Sequence, residues 1–580
     1  MPRRYLREFK QIGQDPVLAV GLAVVTLFII LSIILPLLAM VGESASVEGL
    51  PRFGDFLGSF VYQTVIKNTI VMGLMVGAGG TLLGFLFAFV QVKMDVPYKR
   101  VIHIAALVPI ISPPFAVAAA VIMLFGRSGM ISKDIFGVRY NIYGQDGLTM
   151  VLILSYFTIA YLNLKGMLEA LDPALDEAAT NMGASKWHIF RTITLPMLIP
   201  GFLGSFLLLF VESIADLGNP LILGGDYDVL ASRIYIQVVG LYDTTGAAVL
   251  SVILLVPSLT VFFIQRYWVS RMSVVSVTGK PSGTPQKVNH PLVRWPLYGL
   301  VMAIVALIFT IYLTIFAGAF TRVLGVNNAL TLEHFEFVFR GVGVESIGDT
   351  TLLAVISTPI AGVLGILIAF LVVRKNFLGQ SALDFTTMLG IAVPGTVLGI
   401  GYLLMYNTPT QIPIPFLGTP EDPFALTIIP KITGGRGLFG GALAIVVVFV
   451  VRSVPAALRT GAASLSQIDP SIEEASISLG ADNARTFLNI TLPLVRPAFF
   501  AGLIYAFARS MTSLSAIIFL TTPKTQIMTH QILNEVEGGR FGNAFAFCVV
   551  LIGIVFTAIG FLYLTVGSAT GAERSLEGVA

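Results

Sequence analysis

The chain has 580 residues, of which 56% are hydrophobic and 12% are charged, and its mean hydropathy is +0.87. Because an average soluble domain has about 25% charged residues, this composition excludes a soluble protein. The net charge of +3 is too small to indicate a nucleic-acid-binding protein. Cys548 is the single cysteine, which excludes a disulfide within the chain and argues against a thiolate metal site.

Long apolar runs occupy most of the sequence, as expected of helices that cross a hydrocarbon layer of about 30 Å. The first run, at about 17–41, follows four basic residues, which are Arg3, Arg4, Arg7 and Lys10. It is too long for the apolar region of a cleaved signal peptide, which has about 7–15 residues. We therefore predict a first transmembrane helix with its basic end in the cytoplasm.

Twelve such spans predict an all-α polytopic membrane protein. They lie near residues 17–41, 68–92, 101–126, 148–170, 193–221, 246–268, 295–319, 349–373, 383–407, 438–460, 491–521 and 543–567. Three groups of basic residues all fall on the side shared with the N-terminus: Lys93, Lys99 and Arg100; Arg266, Arg271, Lys280, Lys287 and Arg294; and Arg374 and Lys375. Since basic loops usually face the cytoplasm, we predict two cytoplasmic termini. The loop at 127–147 departs from this pattern, because it is predicted to be external yet contains Arg127, Lys133 and Arg139.

A polar stretch at 269–294 separates two parts of similar length. We predict a first half at 1–268, a cytoplasmic linker at 269–294 and a second half at 295–580. The halves repeat, because LDPALDEAATNMGASKWHIFRTITLP at 171–196 aligns without a gap with IDPSIEEASISLGADNARTFLNITLP at 468–493, and 67–89 resembles 348–370. Six spans in each half give both copies the same orientation, which makes a parallel repeat.

The repeated segment lies between the fourth and fifth spans of each half, on the predicted cytoplasmic side, and is more polar than its flanks. Asp172-Pro173 and Asp469-Pro470 have the pattern of helix starts, because an acidic side chain caps free N–H groups and proline fits the first turn. Gly183 and Gly480 are predicted to end these short helices in left-handed caps. The tripeptides Glu177-Ala178-Ala179 in the first copy and Glu474-Ala475-Ser476 in the second give each helix a carboxylate followed by small side chains. Such a helix lets another surface approach closely.

This pattern of E-A-A, a glycine four residues later and an I-x-L-P ending resembles the cytoplasmic signature of permeases in binding-protein-dependent ATP-binding-cassette importers. The resemblance covers essentially the whole chain, and the fused two-half arrangement is similar to the ferric-iron permease branch. It implies the type I importer permease fold, in which the segment is a coupling helix seated in a groove of the ATPase. It further implies that coupling contacts come from Glu177, Ala178, Ala179, Gly183, Glu474, Ala475, Ser476 and Gly480. Ser476 replaces the second alanine of the family pattern, which is a small departure.

The resemblance also implies partners: two copies of an ABC ATPase subunit, a periplasmic or lipid-anchored substrate-binding protein, and membrane lipid. The sequence has no G-x-x-x-x-G-K-[ST] phosphate loop. We therefore expect no catalytic residue in this chain, no cofactor or metal bound by it, and ATP and Mg²⁺ on the partner ATPase. The expected mechanism is alternating access driven by closure of the ATPase pair.

Ionisable side chains within the spans are candidates for the substrate path, because such groups usually face a cavity rather than lipid. Glu212 and Asp216 are four residues apart in the fifth span and are predicted to share one helical face. The matching position in the second half is Arg509, with hydroxyl side chains close behind it that include Ser510 and Ser513. A ligand site, a gate and a structural pair all remain open for Glu212 and Arg509.

Small residues and prolines mark further features of the spans. Four glycines of the second span, Gly73, Gly77, Gly80 and Gly84, have a spacing that favours close helix packing. Pro113 and Pro114 in the third span and Pro394 in the ninth occupy equivalent places. They predict either helix breaks beside the path or local kinks.

Several substrates remain open at this stage. The resemblance makes ferric iron the first candidate substrate, and this cation would favour carboxylate ligands in the path. Arg509 and its neighbouring hydroxyls would favour an organophosphate, a phosphonate or another small anion, and thiamine and polyamines come further back. A secondary transporter is a rival of a different class, but the spans have no relay of carboxylates and histidines. A membrane-embedded enzyme would need a metal cluster or a G-x-S-x-G elbow, which the sequence lacks.

Overall fold

The computed structural model describes residues 16–268, 287–288, 290–375, 377–419 and 422–570. The four basic residues that precede the first span lie outside these ranges, and so does most of the predicted linker.

The chain is mainly helical. The first part contains α1 (Pro16–Ile29), α2 (Leu35–Ser44), α3 (Gly49–Gly58), α4 (Phe60–Lys93), α5 (Lys99–Ile111), α6 (Pro114–Phe125), α7 (Gln145–Ala170), α8 (Pro173–Asn181), α9 (Lys186–Ile189), α10 (Leu195–Ile214), α11 (Gly218–Leu223), α12 (Leu230–Tyr235) and α13 (Thr244–Tyr267). The second part contains α14 (Pro291–Phe320), α15 (Glu333–Val338), α16 (Val342–Arg374), α17 (Gln380–Ala392), α18 (Gly395–Tyr406), α19 (Ala442–Gln467), α20 (Pro470–Ser478), α21 (Asn483–Thr486), α22 (Leu492–Thr512), α23 (Met528–Glu537) and α24 (Phe541–Thr570).

Short irregular and extended elements complete the described chain. π-Helical turns occur at Ile30–Ile34, Met130–Ile135, Phe190–Thr194, Ile236–Gly240 and Phe487–Thr491, and a 3₁₀ turn at Leu438–Gly441. Two antiparallel hairpins join β1 (Thr321–Val323) to β2 (Asn327–Leu330) and β3 (Thr410–Thr419) to β4 (Asp422–Ile429). The fold is therefore helical within the predicted spans, but two of the connections between spans are β-hairpins that the all-α prediction did not include.

Within the described ranges, ten helices are long and apolar enough to cross a membrane, and the number rises to eleven if one bent pair of helices counts as a single span. This confirms a polytopic helical membrane protein with slightly fewer clear spans than the twelve predicted. The bent pair is α17 and α18, which meet at 103°. The predicted span at 491–521 forms α22 but is not among the ten.

The described chain divides into two compact units. One comprises residues 16–46, 340–531 and 550–570 of the described chain, and the other comprises 47–339 and 532–549. Each unit therefore contains the core of one predicted half together with the first long helix of the other half. The two compact units do not coincide with the two predicted halves, because each unit combines helices from both halves. The repeat boundary at 269–294 therefore stays a prediction.

The predicted prolines break their helices. α5 ends at Ile111, and Ser112 and Pro113 are extended before α6 begins at Pro114. Val393 and Pro394 are extended in the same way between α17 and α18. Because proline has no N–H to donate and disfavours a helical residue before it, a break is the outcome in both halves.

The glycines of α4 allow close packing, as predicted. A Cβ added at Gly84 would lie 2.6 Å from the Ala160 Cβ of α7, and one at Gly80 would lie 2.3 Å from the Leu209 side chain of α10. The other unit has the same crossing, because a Cβ at Gly365 of α16 would lie 2.3 Å from Ala457 of α19. Each core is thus built on a contact that only glycine permits.

Gly84→Ala should destabilise the protein, because the new methyl group would also lie 2.6 Å from the backbone nitrogen of Tyr161. Overpacking of this kind costs about 1–3 kcal/mol. Gly166→Ala on α7 is the matched control, since no atom lies within 4 Å of its added Cβ. Thermal unfolding of the purified protein in detergent should show a lower unfolding temperature for Gly84→Ala alone. Equal unfolding temperatures would contradict the close crossing.

Candidate coupling sites and substrate path

The first predicted coupling segment forms the short helix α8. Asp172 caps it, because its Oδ1 accepts a hydrogen bond from the Ala174 N–H at 3.0 Å. Gly183 follows the helix with φ +85°, and its N–H donates to the Thr180 carbonyl at 2.9 Å. The predicted start and left-handed end of this helix are both confirmed.

The second segment forms α20 with the same caps. The Ser471 N–H donates to Asp469 Oδ1 at 2.9 Å, and this bond holds the pKa of the Asp469 carboxyl below its ordinary value. Gly480 follows with φ +92°. A positive φ of this size lies in the left-handed region, which favours glycine. The backbone conformation therefore explains why both copies of the repeated motif have glycine at this position.

The coupling candidates differ in exposure. Glu177, Ala178, Glu474 and Ala475 are exposed, and Ala179 is half-buried. Ser476 is buried, and its hydroxyl lies 2.9 Å from the Thr486 hydroxyl of α21. The glutamates and first alanines thus form an accessible face on each helix, whereas Ser476 packs inside its own segment.

A buried ion pair that the sequence analysis missed fixes the first coupling helix. Lys93 Nζ at the end of α4 lies 2.8 Å from Asp176 Oδ2 in α8. The side chains are only 6% and 11% exposed. Because the pair is shielded from water, it ties the coupling helix to one of the longest helices of its unit.

The second coupling helix has an equivalent pair. Arg374 Nε at the end of α16 lies 3.3 Å from Glu473 Oε1 in α20. Arg374 Nη2 also donates to the carbonyls of Leu465 and Ile468, at 3.0 and 2.8 Å. The Thr491 hydroxyl donates to Glu473 Oε1 at 2.8 Å. The same mechanical link therefore occurs in each unit, with arginine and glutamate in place of lysine and aspartate.

A sequence signal for these pairs existed. Asp176 and Glu473 occupy the same position of the repeated segment, and Lys93 and Arg374 match when the alignment of 67–89 with 348–370 is extended. In the sequence, the two basic residues indicate only the topology when each is taken alone. Opposite charges that recur at matched positions of two repeats would have indicated the contact.

The first coupling segment lies beside the end of the linker. The Val288 N–H donates to the Lys93 carbonyl at 2.7 Å, and Lys287 Nζ donates to the Val92 carbonyl at 2.8 Å. Lys186 Nζ, which follows α8, donates to the Lys287 carbonyl at 3.2 Å. The linker end thus caps the free carbonyls of α4 and lies beside the coupling segment.

The structure corrects the prediction that Glu212 and Asp216 share one helical face. α10 ends at Ile214, so Asp216 lies beyond the helix that holds Glu212. Asp216 is buried and accepts hydrogen bonds from the Tyr156 hydroxyl at 2.6 Å and from the Asn219 N–H and Nδ2 at 2.9 and 3.1 Å. The helix ends there because this carboxylate organises the turn into α11.

The remaining path candidates lie on the fifth span of each half. Glu212 is half-buried on α10, and Arg509 is half-buried in the last turn of α22. Ser510 is buried, with its hydroxyl bonded to the Ala506 carbonyl at 2.8 Å, and the Ser513 carbonyl accepts from Thr529 at 2.7 Å. Glu212 and Arg509 belong to different compact units, so their pairing stays a prediction.

Within the described part of the chain, no group of three or more His, Cys, Asp or Glu side chains is placed to hold a metal ion.

Comparison with known proteins identifies relatives across most of the chain. The model of the family described as "Binding-protein-dependent transport system inner membrane component" matches residues 80–274 and 361–568. The ferric transport system permease protein FbpB of Actinobacillus pleuropneumoniae is 34% identical over 91% of this chain and 74% of that protein. The putative ferric transport system permease protein FbpB 1 of Haemophilus influenzae is 33% identical over 90% of this chain and 81% of that protein.

Lys93→Met should destabilise the unit that contains α8, because it leaves the Asp176 carboxylate buried without its cation. Breaking a buried pair costs about 3–5 kcal/mol, whereas replacing both partners with apolar residues is often nearly neutral. Thermal unfolding should therefore show a large loss for Lys93→Met and substantial recovery for Lys93→Met with Asp176→Leu.

The matched control is Lys165→Met, which removes one member of the more exposed Lys165–Glu169 pair at 3.5 Å. Exposed pairs contribute only about 0–1 kcal/mol. If Lys93→Met and Lys165→Met lowered the unfolding temperature equally, the anchoring role of the buried pair would be wrong.

Proposed function

Because the chain belongs to the family of binding-protein-dependent transport system inner membrane components, we propose that it is the permease of an ATP-driven importer for ferric iron. Ferric iron is proposed as the substrate because the chain is similar, over at least 90% of its length, to two ferric transport permeases. The family model matches two segments of this chain, at 80–274 and 361–568, which supports a permease with two similar halves.

The ATPase partner is proposed to be a pair of identical ABC subunits that carry ATP and Mg²⁺. Two helices of the same length and capping, α8 and α20, each present an exposed glutamate and alanine. Two similar surfaces on one chain suit two copies of one partner. The exposed residues that we assign to these contacts are Glu177, Ala178, Glu474 and Ala475.

The other partner is proposed to be a soluble or lipid-anchored protein that delivers the substrate on the opposite side of the membrane. The family description, which names a binding-protein-dependent system, supports this assignment. We further propose that the coupling helices and both termini face the cytoplasm, as the distribution of basic loops favours.

The two buried ion pairs supply a mechanical route for alternating access. Closure of the ATPase pair would draw α8 and α20 together, and each would move with the helix to which it is anchored. Lys93–Asp176 links α8 to α4, and Arg374–Glu473 links α20 to α16. Because α4 and α16 have 34 and 33 residues, displacement at their cytoplasmic ends would reach the opposite side of the membrane.

We propose Glu212, rather than Asp216, as the ionisable group of the substrate path. Asp216 already accepts three hydrogen bonds from its own unit, so its carboxylate has a structural task. Glu212 lies within the apolar length of α10, two residues before the helix ends. A carboxylate is also the oxygen ligand that a hard cation prefers.

Gly183→Arg combined with Gly480→Arg should abolish iron uptake and binding of the ATPase while the protein still inserts in the membrane. No atom lies within 4 Å of a Cβ at either glycine, so the arginines would project from the coupling surface and obstruct a partner. The control is Gly183→Ala with Gly480→Ala, which imposes the same backbone strain without the bulk. Uptake that persists in the arginine variant would contradict the coupling assignment.

The substrate can be tested in a strain that lacks the gene, with labelled ferric iron and a labelled phosphonate offered in parallel. We expect gene-dependent iron uptake that falls at least tenfold in Glu212→Gln and is unchanged in Glu345→Gln, an exposed glutamate at the start of α16. Gene-dependent phosphonate uptake that is lost in Arg509→Ala, without iron uptake, would instead assign the protein to an anion importer.

A further inference from the structure

A cavity of about 370 Å³ lies within one compact unit, at the end of α14. The hairpin β1–β2 and the start of α24 form much of its wall. Part of the lining is apolar and includes Met123, Phe541 and Phe545. The volume is in the range of about 300–1,000 Å³ that is typical of small-molecule sites.

The cavity lies at the end of the unit opposite the coupling helix. α14 begins at Pro291, three residues after Val288, which bonds to Lys93 beside α8. Its 30 residues extend for about 45 Å at about 1.5 Å per residue. Since this length exceeds a hydrocarbon layer of about 30 Å, the cavity is at the level of the lipid headgroups on the far side.

The polar part of the wall is basic and held in place. Arg540 Nε and Nη2 donate to the two oxygens of Glu535, at 2.7 and 2.8 Å. The Asn543 Nδ2 also donates to Glu535, at 2.9 Å, which directs the Asn543 oxygen toward His334 Nδ1 at 2.9 Å. His334 Nε2 faces the Thr321 carbonyl at 2.9 Å.

Guanidinium N–H groups remain available at the cavity. Arg322 Nη2 donates to Glu333 Oε1 at 3.3 Å. The N–H groups on Nε and Nη1 of Arg322 are then available to another acceptor. The bonds of Arg540 to Glu535 leave its Nη1 group. Arg322, His334 and Arg540 all line the cavity, whereas Glu333 and Glu535 are not among its lining residues. The wall therefore offers guanidinium donors to an anion beside an apolar surface.

We propose that this cavity is a binding site for a phosphate group, carried either by a phospholipid headgroup or by a soluble phosphate ester. The guanidinium fork matches phosphate oxygens in two-point hydrogen bonding, and the fixed Arg540 loses little freedom on binding. The apolar residues would hold the carbon chain that adjoins the phosphate. The site is distinct from the proposed substrate path and needs neither iron nor the ATPase.

The test uses the full-length protein, purified in detergent and stripped of lipid. Binding is measured for dihexanoyl phosphatidylglycerol and for glycerol 3-phosphate, with the unfolding temperature of each ligand-free variant as a check on folding. The wild type should bind at least one probe saturably. Arg322→Gln should weaken that binding about tenfold or more, since it removes a charged donor from the hairpin. Val323→Trp should weaken it as well, by filling the cavity without a change of charge.

The matched control is Arg139→Gln, which removes an exposed arginine of the same unit outside the cavity. Its affinity should equal that of the wild type. Preference for the lipid identifies a headgroup site, and equal affinity for glycerol 3-phosphate identifies a soluble ligand. Absence of saturable binding to both probes, or equal losses in Arg322→Gln and Arg139→Gln, would overturn the proposal.

Discussion

The two buried ion pairs at the coupling helices are the contacts on which the proposed transport mechanism depends. A buried ion pair adds little net stability compared with an apolar pair, but separating its members is strongly unfavourable. Its value lies in fixing one arrangement of the helices that carry it. Lys93–Asp176 and Arg374–Glu473 do this at matched positions, so a short polar helix with few apolar contacts can still move as one body with a long helix of its core.

The membrane explains why so much of the fold was predictable. Helices must satisfy every backbone hydrogen bond within the hydrocarbon layer, so apolar length alone locates them, and ten spans were placed close to their observed positions. Glycine spacing in α4 made close packing predictable, whereas the prolines at 113 and 394 predicted a disturbed helix without distinguishing a break from a kink. The hairpins β1–β2 and β3–β4 lie outside these constraints, in loops where water satisfies the backbone and hydropathy carries no signal.

The candidate site was predictable where its cause is local and not where it depends on tertiary contacts. The caps of α8 and α20 follow from Asp-Pro and glycine a few residues apart. Asp216, by contrast, was placed on a continuous helix because periodicity could not reveal that Tyr156 and Asn219 would hold its carboxylate at the helix end. Charge within a span indicates that a group has a task, and the donors that surround Asp216 show that its task is structural.

The two halves have diverged around a common mechanical design. Ser476 turns inward to Thr486, whereas its counterpart Ala179 has no side-chain hydrogen bond to offer. The linker end caps α4 beside the first coupling segment through Lys287 and Val288, while Arg374 itself supplies the donors for carbonyls near the second. The proposed mechanism requires the same displacement in each half, which different residues can support as long as the anchor between coupling helix and long helix persists. Fusion of the halves in one chain permits this divergence, since each coupling helix then has its own sequence and its own surroundings.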